Sequence, residues 1–297
     1  MTAVSPDRLS ARLQWGLIPA VPVPFRGRAL AEDAQQAYAH WMAAQPVAGV
    51  AVWAHTGRGP HLTSDERRRV LATWRAALPA GVIVAGADSV AMACEARGGG
   101  ADALLAFPTP DDPVGYHAAL GAELPVIAFY LYEAAGGVAY DDATIHAVLD
   151  LPQVVGIKVA TLDSVVTFQR IAAVVKAHPG KLLITGEDRF FGYSLMMGAR
   201  AALVGMGAAL TDLQARVLST LSVGDAGEFL RLSTTIDEFA AVTFAPPVEG
   251  YVRRMLWAAA ADARLPSDAC DDPWGPALDP ADRERVVNAV QRARAGA

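Results

Sequence analysis

The sequence predicts an α/β fold, a TIM (β/α)8 barrel followed by C-terminal helices. Eight short apolar runs alternate with eight segments whose apolar residues have helical spacing. The alternation ends near residue 223, which is a common length for such a barrel. No glycine-rich phosphate turn follows the first run, whereas a doubly wound open sheet usually has one. We therefore expect a barrel over residues 1–223 and a helical extension of the same domain over residues 224–297.

Each expected strand is a mostly apolar run bounded by turn-forming or charged residues. The strands are residues 16–25, 47–53, 81–86, 101–107, 125–130, 151–160, 181–186 and 201–205. The first run contains three prolines, so we expect only part of it to pair. The sixth run is apolar on both faces, which is typical of a strand inside a parallel sheet.

The segments that follow the strands have the apolar spacing of helices. These helices are expected at residues 33–45, 63–77, 90–97, 114–122, 141–150, 164–177, 189–198 and 212–221. Thr63 and Glu66 have the spacing of a capping box, which indicates that the second helix begins there. Three further helices are expected in the tail, at residues 226–244, 248–264 and 280–295.

Composition and charge exclude several classes of function. Hydrophobic residues make up 53% of the chain, and the net charge is -6 with no basic run, so we expect no nucleic-acid partner and no binding to a membrane surface. The chain has neither an 18-residue apolar stretch nor the pattern of a signal peptide, so we expect a cytoplasmic protein without a membrane span. Cys94 and Cys270 have no CxxC or Cys/His neighbours, which favours free thiols over a disulfide or a metal site.

Lys158 lies near the C-terminal end of the sixth strand and is the strongest candidate for a catalytic residue. Lysine is almost never fully buried unless its charge is paired or removed. Because burial disfavours the ammonium form, a buried lysine amine is a nucleophile near neutral pH. Such an amine attacks a ketone to form a Schiff base, the first step of covalent catalysis on 2-oxo acids. Alternatively, Lys158 only extends to the barrel rim and holds a charge there.

The functional side chains of a TIM barrel lie at the C-terminal ends of its strands, and this rule selects further candidates. They are His55, Thr56, Gly57 and Arg58 after strand 2, Tyr130, Tyr132 and Glu133 at the end of strand 5, Gly186, Glu187, Asp188 and Arg189 after strand 7, and the backbone from Leu203 to Gly205 at strand 8. Strand 5 neighbours the lysine strand, so we expect the Tyr130 hydroxyl to reach the lysine nitrogen and carry protons.

The remaining candidates have two interpretations each. Thr56 and Gly57 are either turn residues or a neutral cradle for a carboxylate. His55 is either a general acid/base or a surface hydrogen-bonding residue. At least one of Glu187 and Asp188 is expected to cap the next helix.

These motifs resemble those of the dihydrodipicolinate synthase/N-acetylneuraminate lyase family of class I aldolases and dehydratases, from Leu17 to the helical tail. The closest match is Val154–Thr161, which is similar to the Schiff-base lysine strand of the family. Phe129-Tyr130 resembles the end of the family's tyrosine strand, and Leu183–Asp188 resembles the segment beside its substrate pocket. The resemblance implies that Lys158 forms the imine and Tyr130 moves protons. It also implies a 2-oxo acid substrate, held through Thr56, and no metal or organic cofactor.

The sequence departs from the family in its substrate-binding half. Ala54-His55-Thr56-Gly57-Arg58 stands where the family has Gly-x-Thr-Gly-Glu. No arginine follows Tyr130 to bind a second carboxylate, and the loop Phe107-Pro-Thr-Pro has no equivalent of the tyrosine lent by a neighbouring subunit. We therefore expect a Schiff-base lyase, either an aldolase or a dehydratase, that acts on pyruvate or another 2-oxo acid but is not an authentic dihydrodipicolinate synthase.

Two questions remain open on the sequence. Arg58 and His55, with Arg189, favour a substrate with an anionic or polar distal group, unless Arg58 faces solvent or pairs with a neighbouring acid. The alternative function is a non-catalytic 2-oxo-acid-binding or scaffold protein that kept the barrel.

The resemblance also implies a homo-oligomer, a tetramer or else a dimer. The tail segment 248–263 contains Tyr251, Met255 and Trp257 among many alanines. We expect one side of that helix to face the barrel and another apolar side to face a second subunit.

Overall fold

In the computed structural model, which describes residues 5–263 and 265–296, eight parallel strands form a barrel. The strands are Leu17–Pro19, Gly49–Val52, Val82–Ala87, Ala103–Ala106, Val126–Leu131, Val154–Ala160, Leu182–Thr185 and Ala201–Val204. The first strand pairs with the eighth, and a bridge between Ala20 and Ala51 places it beside the second, so that the ring is nearly closed. The predicted TIM barrel is confirmed, and the first strand pairs over only three residues, as its prolines indicate.

Helices follow the strands as the sequence pattern indicates. They are Glu32–Ala43, Ser64–Ala77, Val90–Gly98, Pro113–Gly121, Asp142–Leu149, Val165–Lys176, Phe191–Met196 and Thr211–Val223. The capping box is formed, with the Thr63 hydroxyl accepting the Glu66 N–H at 3.2 Å and the Glu66 carboxylate accepting the Thr63 N–H at 2.8 Å. No described helix could cross a membrane, and no group of three or more potential metal ligands occurs among the described residues. Cys94 and Cys270 are free.

The tail adds the helices Ala226–Thr243, Tyr251–Asp262 and Asp282–Ala295. The first packs on the last barrel helix, and the other two pack on each other. The expected end of the middle helix, at residue 264, lies outside the described residues. A short 3-10 turn, Val248–Gly250, precedes the middle helix and brings its first residues over the mouth of the barrel.

Strand side chains alternate between the barrel interior and the layer between strands and helices. On the fifth strand, Ile127, Phe129 and Leu131 pack in the interior, whereas Ala128 and Tyr130 pack on the helix side. Lys158 of the sixth strand lies in register with Phe129. Its side chain therefore enters the interior near the C-terminal mouth.

The N-terminal end of the barrel is closed by a helix that the sequence pattern did not indicate, Pro6–Leu13. Ser5 caps it by accepting the Arg8 N–H at 3.4 Å. Leu9 and Leu13 are fully buried against the interior side chains of the strands. A hairpin of two-residue strands, Phe25–Arg26 and Ala29–Leu30, was also not predicted.

The expected subunit surface on the tail helix Tyr251–Asp262 is not present. Tyr251, Val252, Met255 and Leu256 are all buried within the chain, and Trp257 is half-buried. Apolar side chains are instead exposed on two neighbouring barrel helices and the turn after them, at Val165, Val166, Met196 and Met197. The prediction was wrong because the helices Ala226–Thr243 and Asp282–Ala295, together with the turn after the eighth strand, pack against this helix and cover its apolar side chains.

Candidate active site

Lys158 projects into the C-terminal mouth of the barrel and is 6% exposed. Its amine makes no hydrogen bond to any of the described residues, and its Nζ lies 4.1 Å from the ring centroid of Phe129. Gly186, which follows the neighbouring seventh strand, leaves space for the Lys158 side chain. A Cβ at position 186 would lie only 2.5 Å from Lys158 Cε. The amine is therefore buried and held beside an aromatic ring, without a hydrogen-bond partner among the described residues.

Burial also sets the protonation of Lys158. Desolvation lowers the pKa of its amine to about 8, although the nearby Asp188 and Glu187 act in the opposite direction. Desolvation also raises the pKa of Asp188, to about 7. Two effects act in the opposite direction and lower it, namely the Met206 N–H, which donates to the Asp188 carboxylate at 2.7 Å, and the charge of Lys158. An appreciable fraction of the amine is thus neutral at physiological pH.

Glu187 and Asp188 do not cap the next helix, as we expected for at least one of them. The helix Phe191–Met196 begins after Phe190 without a side-chain cap. Glu187 instead accepts the backbone N–H groups of Thr161 at 2.7 Å and Leu162 at 2.8 Å, and so ties the loops after strands 6 and 7 together. Its burial raises the pKa of its carboxyl to about 8.

Two adjoining cavities open at this face. The inner one is about 20 Å³ in volume and is lined by Lys158, Asp188, His55, Thr56 and Tyr251, among others. The outer one is about 490 Å³ in volume and is lined mainly by the loops after strands 5 and 6. Both are lined by Leu131, Tyr132, Leu162 and Phe244, so one ligand could occupy both.

Tyr130 does not reach the inner cavity. Its side chain packs on the outer face of the barrel, where the Arg170 guanidinium lies 5.9 Å from its ring centroid. It lines only the outer cavity, and the residue facing Lys158 across the strand register is Phe129. The expected contact between the Tyr130 hydroxyl and the lysine nitrogen is therefore absent, because adjacent residues of a strand point to opposite faces.

Arg58 is held by acids, and the alternative interpretation of this residue is correct. Its guanidinium binds Asp272 through two hydrogen bonds, of 2.7 and 3.1 Å, and both side chains are buried. Glu249 lies 3.6 Å away on the other side. Arg58 lines neither cavity, so it fastens the strand-2 loop to the tail and presents no free cation to a substrate.

His55 and Thr56 lie in the inner cavity as the sequence indicates, but both are bound to Tyr251 of the tail. The Tyr251 hydroxyl lies 2.9 Å from His55 Nδ1 and 3.0 Å from Thr56 Oγ1. His55 Nε2 lies 3.4 Å from the Glu249 carboxylate, and the hydroxyl of Tyr132 donates to that carboxylate at 2.6 Å. Burial is the main reason that the pKa of His55 is lowered to about 4, so the imidazole is neutral at physiological pH.

The other predicted positions lie at the edge of the site. Gly57 is buried beneath the strand-2 loop, where a Cβ would come within 3.0 Å of the Val21 carbonyl oxygen. Leu203 packs inside the barrel and lines neither cavity, whereas the following Gly205 lines the inner one. A Cβ at Gly205 would lie 3.0 Å from Thr56 Oγ1, so glycine is needed there for the threonine to take its place.

Sequence reasoning missed Phe129, Glu249 and Tyr251. Alternation along strand 5 puts Phe129 on the same face as Ile127 and Leu131. Because the strand is apolar on both faces, the sequence does not indicate which of its two faces points into the barrel. Glu249 and Tyr251 lie about 90 residues from Lys158 in the sequence, and only the folded tail brings Tyr251 to the inner cavity and Glu249 to His55.

Two curated proteins are similar to this chain in sequence. A 4-hydroxy-tetrahydrodipicolinate synthase of Rhodospirillum centenum is 26% identical over 274 residues, which cover 84% of this chain and 91% of the relative. A 4-hydroxy-tetrahydrodipicolinate synthase of Phenylobacterium zucineum is 31% identical over 192 residues, 58% of this chain and 63% of the relative. No protein-family model matches the chain.

Solved structures share the fold across nearly the whole chain. A sialic acid aldolase of Ruminococcus gnavus matches with a TM-score of 0.84 and 19% identity over 96% of this chain and 98% of that chain. A dihydrodipicolinic acid synthase family protein from E. coli K12, in complex with pyruvate, matches with a TM-score of 0.81 and 18% identity over 94% of this chain and 98% of that chain.

The barrel, its C-terminal helices and these relatives define an enzyme of the aldolase or lyase type. In sequence the chain is similar to the two curated 4-hydroxy-tetrahydrodipicolinate synthases, and in fold it is similar to solved structures of dihydrodipicolinate synthases and sialic acid aldolases.

Proposed function

We propose that the protein is a Schiff-base-forming lyase that acts on pyruvate or another 2-oxo acid through Lys158. One observation carries the proposal, namely that Lys158 places a buried amine without hydrogen-bond partners among the described residues inside the mouth of the barrel. The amine attacks the C2 ketone, and the protonated imine then accepts the electrons of a bond broken at C3. Whether the bond is C–C or C–O distinguishes an aldolase from a dehydratase.

The other two lysines of the chain support this assignment by contrast. Lys181 donates to the carbonyl oxygens of Leu151 at 2.9 Å and Val154 at 2.6 Å, so its amine is already engaged. Lys176 lies exposed on the surface at the end of a helix. Of the three, Lys158 alone combines burial with an unengaged amine.

The carboxylate of a 2-oxo acid would be bound by backbone N–H groups of the loop after strand 2. The backbone N–H groups of Thr56 and Gly57 donate to no acceptor among the described residues, and Thr56 lines the inner cavity. Free N–H groups bind carboxylates without a positively charged partner. The inner cavity is small, so the reacting end of the substrate would lie there and the remainder in the outer cavity.

The outer cavity favours a polar remainder. It is lined by the hydroxyl-bearing residues Thr161, Ser164 and Thr167 and by Glu133, Asp163 and Arg189. Arg58 is bound by Asp272 and is not available to the substrate. Arg189 is therefore the candidate that binds an anionic or polar group at the far end of the substrate.

One observation favours a second candidate function, a non-catalytic protein that binds 2-oxo acids or serves as a scaffold. The residue facing Lys158 across the strand register is Phe129, which has no hydroxyl to move a proton. Its ring also attracts the ammonium form of the lysine. Ligand binding and catalysis must therefore be separated by experiment.

Hydrogen exchange at the methyl group of pyruvate separates them. An imine at C2 converts reversibly to an enamine, so the lyase should exchange the methyl protons of pyruvate with deuterium in D2O, as followed by proton NMR. Lys158→Ala should abolish the exchange, and the surface variant Lys176→Arg should keep it. Pyruvate-induced thermal stabilisation without exchange in the unaltered protein would instead support the second candidate.

We further propose a homo-oligomer, a tetramer or else a dimer, in the cytoplasm. The exposed apolar residues Val166 and Met196, on neighbouring helices, support a subunit contact at that face. Light scattering during size-exclusion chromatography tests it. A monomer at micromolar concentration would contradict the assembly.

A further inference from the structure

We propose that Tyr251, contributed by the tail, is the proton carrier of the lysine site, and that His55 and Glu249 form the relay behind it. The inference rests on the proposed function, since it concerns how the imine at Lys158 forms. It replaces the role that the sequence suggested for Tyr130.

The Tyr251 hydroxyl is linked to Glu249 through His55. A continuous chain of hydrogen-bonding groups runs from the Glu249 carboxylate through the His55 ring to the Tyr251 hydroxyl, with spacings of 3.4 and 2.9 Å. Because Nε2 of His55 faces a carboxylate, that nitrogen carries the ring proton. Nδ1 is then the acceptor, and it can take the proton of the Tyr251 hydroxyl. With the tyrosine proton directed to His55, the Thr56 hydroxyl, 3.0 Å from the tyrosine oxygen, is the donor of that hydrogen bond.

These hydrogen-bonding groups lie at the cavity that holds Lys158. Tyr251, His55 and Thr56 line the same inner cavity as Lys158. Tyr132 lines it too, but its hydroxyl is committed to the Glu249 carboxylate. Tyr130 lies on the other side of the barrel wall. Of these three tyrosines, Tyr251 is therefore the one whose hydroxyl has an acceptor for its proton, His55 Nδ1, and lies at the cavity that holds the reacting nitrogen.

The Tyr251 side chain is held in place from several sides. The Tyr251 ring stacks between Phe244, at a centroid distance of 4.7 Å, and the His55 ring, at 5.8 Å. Arg254 binds the carbonyl oxygen of Pro247 at 3.1 Å and so anchors the segment that leads to Glu249. A catalytic proton carrier requires such an orientation before the substrate binds.

Lys158, Tyr251 and His55 together convert the ketone to the protonated imine. Attack of the neutral Lys158 amine on C2 forms the C–N bond and leaves a positive nitrogen and a negative oxygen. Tyr251 accepts a proton from that nitrogen while its own proton passes to His55 Nδ1, where the imidazolium pairs with Glu249. The same path returns the proton to the oxygen and gives the neutral carbinolamine. A second proton enters from solvent, the C–O bond breaks, water leaves, and the nitrogen lone pair forms the protonated imine.

The test compares Tyr251→Phe with Tyr193→Phe, two variants that lose only a hydroxyl; Tyr193 lines neither cavity. Imine formation with pyruvate is sampled by quenching with borohydride at increasing times and measuring the intact mass, and imine loss is followed after dilution. We expect Tyr251→Phe to slow both rates about a hundredfold or more, by the same factor, and to leave the equilibrium fraction of imine unchanged. Tyr193→Phe should leave both rates unchanged.

An equal slowing of the forward and reverse rates distinguishes a proton carrier from a structural residue, because a merely structural change alters the equilibrium fraction. His55→Asn, which keeps an acceptor near Tyr251 but cannot carry the proton, should show the same pattern and serves as the second variant if Tyr251→Phe does not fold. Wild-type rates in the folded Tyr251→Phe or His55→Asn variant would overturn this inference alone. Failure of the unaltered protein to form any imine would overturn the proposed function, and this inference with it.

Discussion

The reaction of Lys158 should depend on pH with a midpoint near 8. The perturbation is a pH series from 6 to about 10.5, over which the amine loses its proton. Burial lowers the pKa of this amine to about 8, whereas an exposed lysine has a value of 10.5. Only the neutral amine attacks a ketone, so the second-order rate constant of imine formation should follow its population.

The size of the effect follows from the two pKa values. At pH 7 a group with a pKa of about 8 is neutral in about one molecule in ten, whereas one with a pKa of 10.5 is neutral in about one in three thousand. Burial therefore raises the concentration of the reactive form about 300-fold at pH 7. The rate constant should rise about fivefold between pH 7 and pH 8 and less than twofold above pH 8.

Borohydride trapping of the pyruvate adduct at short times, read by intact mass, measures this rate constant. Because reduction itself varies with pH, each sample is first brought to one common pH for the quench. A rate constant that keeps rising tenfold per pH unit up to pH 10 would refute the reasoning, because it would mean that Lys158 titrates as an exposed lysine.

Three further variants test the surroundings of Lys158. Gly186→Ala should abolish imine formation without unfolding the protein, because the added Cβ would lie 2.5 Å from Lys158 Cε, whereas Gly180→Ala, with open space around it, should be normal; an active Gly186→Ala variant would contradict the packing. Asp188→Asn removes a negative charge that holds the lysine proton, so the midpoint should move below 8 in the same rate assay, and an upward move would show that the sign is wrong. Arg58→Ala should destabilise the protein by about 3–5 kcal/mol in urea unfolding, since it leaves Asp272 buried and unpaired. If Arg58→Ala instead keeps its stability and raises KM, the arginine binds substrate after all.

The barrel could be predicted from the sequence because its signals are local. Apolar runs, helical spacing and the capping box at Thr63 are each set by neighbouring residues, and the structure follows them closely. Lys158 could be singled out for the same reason, as a charged residue within an apolar run. The helix Pro6–Leu13 was missed because it precedes the alternating pattern and buries only Leu9 and Leu13.

The partners of Lys158 could not be predicted because they depend on which way side chains point and on contacts that are distant in sequence. A strand buried on both faces gives no sign of which residues face inward, and so Tyr130 was chosen where Phe129 faces the lysine. Arg58 has its acid, Asp272, 214 positions along the chain. Likewise, nothing near Tyr251 in the sequence indicates that His55 will accept its hydroxyl.

The central claim is that Lys158 is the residue that forms a covalent imine, and mapping the trapped adduct tests it most directly. The protein is incubated with pyruvate, reduced with borohydride and digested, and the modified peptide is identified by mass spectrometry. The account predicts a single increase equal to the mass of pyruvic acid less one oxygen atom, located on Lys158. An unmodified protein, or an adduct located on Lys176 or Lys181, would contradict it.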